Sequence, residues 1–425
     1  METHTNIYQL TDHLFRREAG KMIAVLAKIF GASNLETAED VVQQTFMDAI
    51  DVWKFKGIPD NPSAWLFRVA KNKAIDFIRK NKYSVQYDFS DNERILLTSE
   101  YTMANTMENL FKVETIKDDM LRMMFACCNP GISTESQIAL ILKTLCGFST
   151  AEIAKAFLTS EDTISKRLYR AKEFFRQEKV RLEIPSSEEL KHRTNAVLNS
   201  IYLLFNEGYN STHSQQLIRN DLMAEAMLLC GLLAENKQTQ LPEVFALMAL
   251  ICFHSARNES RLTAAGEVIL LPQQDRRKWD RDLITEGNRY MNIAAFGTEI
   301  SSYHIEAAIA FEHCTAESFE KTNWRQILKL YEWLCSISPS PIAELNKVVA
   351  IMEAYGAEEA LQATEQISDK EKIKSFYLYP ALLGEIHARL NHPAEARKYF
   401  ETAINLTQSE NEKKVLQNKI ASLLH

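Results

Sequence analysis

Glycine and proline are scarce in this chain: 12 and 10 of 425 residues, about 5% together against roughly 12% in average usage. So few chain breakers favour long helices and argue against β-sandwiches and glycine-cradled nucleotide sites. Cysteine supplies no scaffold either. The seven, Cys127, Cys128, Cys146, Cys230, Cys252, Cys314 and Cys335, are an odd number with no C-x-x-C pair and no metal-ligand spacing. They are expected as reduced, mostly buried thiols of a cytoplasmic protein. There is no H-E-x-x-H, G-x-S-x-G or Walker-type loop, so no catalytic residue, metal site or cofactor is expected, and the chain is not expected to be an enzyme. The most apolar run, residues 244–253, is about half of what a membrane span needs. Residues 1–10 lack the basic and apolar regions of a secretory signal, so no membrane association is expected.

What remains is the mix of a folded protein, 46% hydrophobic and 25% charged, long enough for roughly two to three domains. The formal charge of −7 is unevenly placed. Residues 1–184 carry 25 basic and 25 acidic residues, and the remainder carries 24 and 31, hence the whole deficit. Within the neutral part, residues 54–82 hold eight basic residues (Lys54, Lys56, Arg68, Lys71, Lys73, Arg79, Lys80, Lys82) against Asp60 and Asp76. Residues 161–181 add seven (Lys166, Arg167, Arg170, Lys172, Arg176, Lys179, Arg181) against four acidic ones. Each patch can face phosphates, although a solvated helix surface has the same composition.

Apolar spacing predicts helices over 7–30, 35–55 and 62–81. Gly31 stops the first, Ser33-x-x-Glu36 reads as a capping box for the second, and Asn61-Pro62 caps and opens the third. Residues 83–113 lose periodicity and read as a linker with room for a short helix. Helices follow over 116–128 and 133–146. Ser149-x-x-Glu152 is a second capping box that opens a short helix, and a longer basic helix spans 160–182. Short helix, tight turn and basic helix form the helix-turn-helix order, whose second helix fits the major groove. Beyond Pro185 the chain is helix-patterned to its end, apart from residues 267–271, a short strand or buried loop. Gly384, Ala396, Phe400 and Ala403 have tetratricopeptide spacing.

These residues carry a family resemblance. Residues 38–46, AEDVVQQTF, resemble the polymerase-binding helix of bacterial sigma-70-type factors. Residues 61–76, NPSAWLFRVAKNKAID, are similar to the −10 recognition helix of their extracytoplasmic-function branch, and residues 148–154 with 163–172, FSTAEIA and TISKRLYRAK, to its −35 helix-turn-helix. The tail segments YLLFNEGY (202–209), WDR (279–281) and SPIAELN (340–346) resemble the subgroup with a long helical C-terminal extension. The resemblance implies an all-α fold: region 2 over 1–83, a linker over 84–113, region 4 over 114–184, and an extension over 185–425 that is tetratricopeptide-like near 340–410. It implies core RNA polymerase and promoter DNA as partners. Asp40, Gln43 and Gln44 would meet the polymerase above a packed Phe46. Asn61, Arg68, Lys71, Asn72, Arg79 and Lys80 would face the melted −10 strand, with residues 57–61 as a pocket wall. Trp65 falls on the apolar stripe and reads as core, with stacking on a base as the alternative. Asp76 reads as a partner for a neighbouring arginine. Thr163, Ser165, Lys166, Arg167 and Arg170 would meet −35 base edges, and Lys172 and Arg176 phosphates.

Two other readings cover part of the pattern. A stand-alone helix-turn-helix regulator with a ligand- or partner-sensing tail leaves the Asp40 and Trp65 segments idle, and a helical scaffold leaves both basic patches idle. The acidic extension suggests intramolecular contact with the basic surfaces, the part a separate anti-sigma factor often plays; an inert acidic surface fits the same split, and whether a separate anti-sigma factor exists is left open.

Overall fold

In the computed structural model, residues 2–80, 100–157, 159–210, 218–263, 266–367, 373–374, 376–407 and 409–423 are described. Residues 81–99, which take in the expected end of the third helix, Lys82 and the first part of the expected linker, and 211–213 in an expected break between helices, lie outside them. Among the described residues there are nineteen α-helices and no strand, the all-α fold that the scarcity of chain breakers implies. The 267–271 segment belongs to a loop closed by one antiparallel bridge, Leu262 to Val268. The helices fall into two compact units, Met1–Leu204 and Phe205–His425.

The first unit is built around α1 (Glu2–Phe30). Met22, Ala24, Val25, Leu26, Ala27, Ile29 and Phe30 are all buried, so this stretch is covered on every side rather than along one stripe. Gly31, at φ 85°, ends the helix. A 3-10 turn, Ala32–Asn34, then leads into α2 (Leu35–Lys56). The capping box expected at Ser33 does not form. The turn makes Asn34 the residue before the helix, with no side-chain cap, its amide bonded to the Phe30 carbonyl, while Glu36 points to Arg176. Gly57, at φ 81°, closes α2, and α3 (Pro62–Lys80) starts from Asn61, whose side-chain oxygen accepts from Ala64 N at 2.9 Å.

Beyond the undescribed stretch come α4 (Glu100–Leu110), α5 (Val113–Cys127), α6 (Thr134–Thr144), α7 (Thr150–Ala156) and α8 (Glu161–Gln177). The second capping box is complete: Ser149 Oγ accepts from Glu152 N at 3.2 Å, and Glu152 accepts from Ser149 N at 2.8 Å. Helix α8 stops five residues short of the expected 182, because Lys179 turns to a positive φ of 46°. Helix α9 (Ser187–Tyr209) begins in this unit. Its Arg193 donates to the Phe125 carbonyl at 2.5 Å, and Ser200 lies 3.7 Å from the Cys128 sulfur. These contacts carry the unit to Leu204, past the expected boundary at 184/185.

Helices on both sides of residues 81–99 pack against α1: α2 and α3 from before, α5 and α6 from after. At Gly20 the approach is backbone to backbone. A Cβ there would stand 1.9 Å from the Leu145 carbonyl oxygen, so only glycine fits.

The second unit continues through α10 (Asn220–Glu235), α11 (Pro242–Ser255), α12 (Arg281–Ala294), α13 (Ser302–Thr315), α14 (Trp324–Ile337), α15 (Pro341–Tyr355), α16 (Ala357–Thr364), α17 (Leu378–Arg389), α18 (Pro393–Leu406) and α19 (Glu410–Ser422). Its later helices pass hydrophobic cores from one to the next. Helix α15 gives Ala343 and Ala350 to a core with α13 and α14, and Leu345, Val348 and Met352 to a core with α16 and α17. Helices α18 and α19 close the series around Phe400 and Leu416, and Gly384 admits the Phe400 ring, which a Cβ would meet at 2.6 Å. Such neighbour-to-neighbour packing makes stability roughly a sum of adjacent interfaces. Among the described residues no helix is long and apolar enough to cross a membrane.

Substituting Gly20→Ala is expected to destabilise the first unit by at least about 1–3 kcal/mol, lowering its Tm by roughly 2–4 °C per kcal/mol for a domain of this size. A melting curve unchanged from wild type would show that α1 and the Leu145 segment do not touch.

Candidate nucleic-acid interface

Helix α8 has two unlike halves. Toward its N-terminus, Ser160 caps the helix by accepting from Thr163 N at 3.2 Å, which engages Thr163 in the helix start. Ile164, Leu168, Ala171 and Phe175 face inward. Ser165, Lys166, Tyr169 and Arg170 face solvent, and Arg167 is half-buried at their edge. Lys166 meets Asp162 at 2.6 Å, an exposed i,i+4 pair worth only about 0.3–0.5 kcal/mol and easily exchanged for a phosphate. Tyr169, 64% exposed, had no place among the sequence candidates. Its position four residues after Ser165, on the polar face, is the signal that would have found it.

Helix α8 packs on the Ala32–Asn34 turn, and its later turns reach the first turns of α2 through long side chains. Lys172 reaches Glu39 at 2.5 Å with both side chains mostly buried, and Arg176 reaches Glu36 at 3.2 Å. Lys172 and Arg176, expected on phosphates, are thus paired with carboxylates of the second helix. Two further ion pairs connect α1 to this later part of the unit. Arg16 of α1 pairs with Glu152 of the capping box and lies 5.5 Å over the Phe148 ring. Burial opposes ionisation of Glu152, but hydrogen bonds from Ser149 and the charge of Arg16 outweigh it and hold the carboxyl below its usual range. Lys28 of α1 stands 3.2 Å from Asp119 of α5, without hydrogen-bond geometry.

On α2, Asp40, Gln43 and Gln44 form an exposed polar ridge, with Gln44 donating to Asp48 at 2.9 Å. Phe46 is buried beneath, 4.9 Å edge-on to Phe15. On α3, Arg68, Asn72, Arg79 and Lys80 are exposed. Asn61 spends its side-chain oxygen on the helix cap. Trp65 is half-buried with its ring 5.5 Å from Trp53, the packing role its stripe implies. Lys71 is engaged by Glu108 of α4 and Lys73 by Asp48 at 2.8 Å, so neither amine is free. Asp76 and Arg79 form a loose pair at 3.9 Å. Phe55, 90% exposed beside the 57–61 loop, was also missed. It sits two residues beyond Trp53, the last buried position of α2, between Lys54 and Lys56.

Three stretches match known families: residues 14–83 match sigma-70 region 2, and 127–175 match sigma-70 region 4, while 193–295 match a family of unknown function. The chain belongs to the sigma-70 family of sigma factors. An uncharacterized protein of Rhizobium meliloti is 34% identical over 379 residues, covering 89% of this chain and 88% of that protein. The RNA polymerase sigma factor YlaC of Bacillus subtilis is 27% identical over 143 residues, covering 33% of this chain and 75% of its own length. No solved structure matches the chain. In this sigma factor α2 and α3 lie within the region 2 match, and α8 closes the region 4 match, so the α2–α8 ion pairs join region 2 to region 4.

Burial raises the Asp119 carboxyl to about 6, Lys28 only partly opposing it, and the residue is 1% exposed. The folded chain therefore holds this proton more tightly than the unfolded one, whose aspartates titrate near about 3.9. Its contribution, on the order of 3 kcal/mol, is complete below about pH 4 and is lost as the pH rises through about 6. The Asp119→Asn variant should lose less stability than wild type between about pH 5 and pH 7 in a series of thermal melts. Parallel Tm profiles for the two proteins would remove this account.

Proposed function

We propose that this sigma factor binds core RNA polymerase through the α2 ridge of Asp40, Gln43 and Gln44, and directs it to promoters with −35 and −10 elements. It performs no catalysis of its own. The observation that carries the reading is how exposed side chains sort by task. A polar ridge over a packed helix suits a protein partner. The cationic and aromatic outer face of α8, with Ser165, Lys166, Tyr169 and Arg170, suits a major groove. The exposed amine, guanidinium and amide groups of α3 suit a single strand, and Phe55 supplies an uncovered ring on which a flipped base can stack. A stand-alone operator binder has no use for the α2 ridge or the Phe55 loop.

Promoter engagement requires the first unit to open. The −10 and −35 elements lie about 25 base pairs apart, roughly 85 Å of duplex at 34–36 Å per turn. Helix α3 packs on α2, and α2 touches α8, so the two DNA-facing helices are only about two helix spacings apart, roughly 20 Å. The extension, which carries the excess negative charge, modulates that opening.

Run-off transcription with core polymerase tests the whole reading: promoter-specific initiation supports it, and DNA binding without initiation supports the operator binder. Arg167→Ala should weaken binding to a −35 site by about 1–3 kcal/mol with little effect on random DNA; equal loss on both would reduce Arg167 to phosphate contact. Probe pairs at Asp76 and Gln177 should move to several times their starting separation on forming a promoter complex, as read by energy transfer. Truncation after Asn210, which keeps α9 packed on α5, should change the initiation rate; no change would mean an inert extension.

A further inference from the structure

The second unit gathers positive charge around one buried guanidinium, Arg257, that no described carboxylate pairs. Arg257, Arg261 and Arg276 gather where α9, α11 and α13 end, and among the described residues no carboxylate forms an ion pair with any of them. Two have plain structural work. Arg261 donates to the Tyr209 carbonyl and to Asn210 Oδ1, both at 2.6 Å, and its guanidinium lies 3.6 Å over the Tyr209 ring. Arg276 donates to the carbonyls of His313 and Ala316, both at 2.6 Å. Each closes the C-terminal end of a helix, where unsatisfied carbonyls carry about half a negative charge.

Arg257 has no such occupation. It is 8% exposed, its Nε has no partner, and the side chain's one hydrogen bond is a long one, 3.4 Å to the neutral amide of Gln274. A guanidinium offers five donors and normally fills them when buried. The group lies 5.3 Å over the ring of Trp279, the same ring that Arg276 covers at 4.6 Å. Trp279 is itself fixed by donating Nε1–H to Ser260 Oγ at 2.8 Å. Two buried imidazoles flank the cluster, His254 beside Arg257 and Arg261, and His313 beside Arg257 and Arg276. Burial first, and then those arginine charges, hold both rings neutral, with pKa values of about 3. The Nδ1 atom of each is buried without a partner.

Charge arithmetic selects the missing ion. Three guanidinium groups against two capped helix ends leave about two positive charges, before Glu320, which acts on Arg276 from beyond ion-pair distance, is counted, and a phosphate group brings about −1.5 to −2 at neutral pH. A monocarboxylate or chloride would leave half of the excess in place. Planar guanidinium groups are also the donors that bind phosphate oxygens in pairs.

We propose that this cluster is a phosphate-binding site, with Arg257 as its principal ligand and Trp279 as the platform that fixes the guanidinium. The phosphate is either free or carried on a small organic molecule, and the site belongs to the helical extension alone.

The test is calorimetric titration of the full-length chain with inorganic phosphate, and separately with glycerol 3-phosphate, at constant ionic strength against sodium acetate. Saturable binding of inorganic phosphate is expected if the ion is free, and tighter binding of the ester if it is carried. Absence of saturable binding for both, beyond the acetate control, overturns the proposal. Arg257→Met should weaken binding by at least about tenfold, while its Tm in phosphate-free buffer stays equal or rises, because a buried cation without a counter-ion has been removed. Undiminished phosphate binding together with a lower phosphate-free Tm would give Arg257 a purely structural role and overturn the proposal. Should that variant fail to fold, Arg257→Lys keeps the charge and loses the fork: weaker phosphate binding than wild type is expected, and equal affinity overturns the assignment.

Discussion

The close approach of α1 to the Leu145 segment at Gly20 governs how the first unit presents its charged surfaces. It sets the capping box of α7 beside Arg16, and with Lys28 on Asp119 it ties the helices before residues 81–99 to those after. Helix α8 is then held by its last turns against Glu36 and Glu39, while its first turns stay outside. Beside the apolar core around α1, the hold includes one buried glycine contact, which is short-ranged and insensitive to salt, and four ion pairs of differing burial. Exposed members such as Arg176 with Glu36 are weakened by ions within a Debye length; the mostly buried Lys172–Glu39 pair is screened far less. An anionic duplex approaching α8 competes for the exposed cations first and for the sheltered one last.

Helix existence and most helix ends were legible in the sequence because local chemistry decides them. Gly31 and Gly57 end helices by adopting positive φ, and Asn61 and Ser149 start them by accepting free backbone N–H groups. Where the sequence misled, a distant partner had intervened. Glu36 was available for a capping box with Ser33 by spacing alone, but the 3-10 turn moves the helix start to Asn34 and leaves Glu36 to Arg176, 140 positions away. Lys71, Lys73 and Lys172 look alike in a one-dimensional charge count, yet each has a carboxylate partner in the fold. Exposure is equally a property of the whole fold, which is why Phe55 and Tyr169 emerged only from the structure.

The extension shows the opposite balance. Its helical hairpins were visible as periodicity, including the glycine at 384 that faces Phe400. Its arginine cluster was not, since Arg257, Arg261 and Arg276 are spread over a stretch in which Glu259, Glu267 and Asp275 balance them in a one-dimensional count. Only folding brings Arg257 and Arg276 onto one tryptophan, with Arg261 beside them on Tyr209. Net charge therefore described the surface of this half of the chain and concealed its interior.

Six of the seven cysteines are buried, and burial lifts Cys128, for example, to about 12, so their thiolate fraction is negligible. Cys335 alone is partly open to solvent. The native protein thus offers alkylating reagents a single slow target on α14, and the appearance of further reactive sulfhydryls over time would serve as an intrinsic clock for local unfolding.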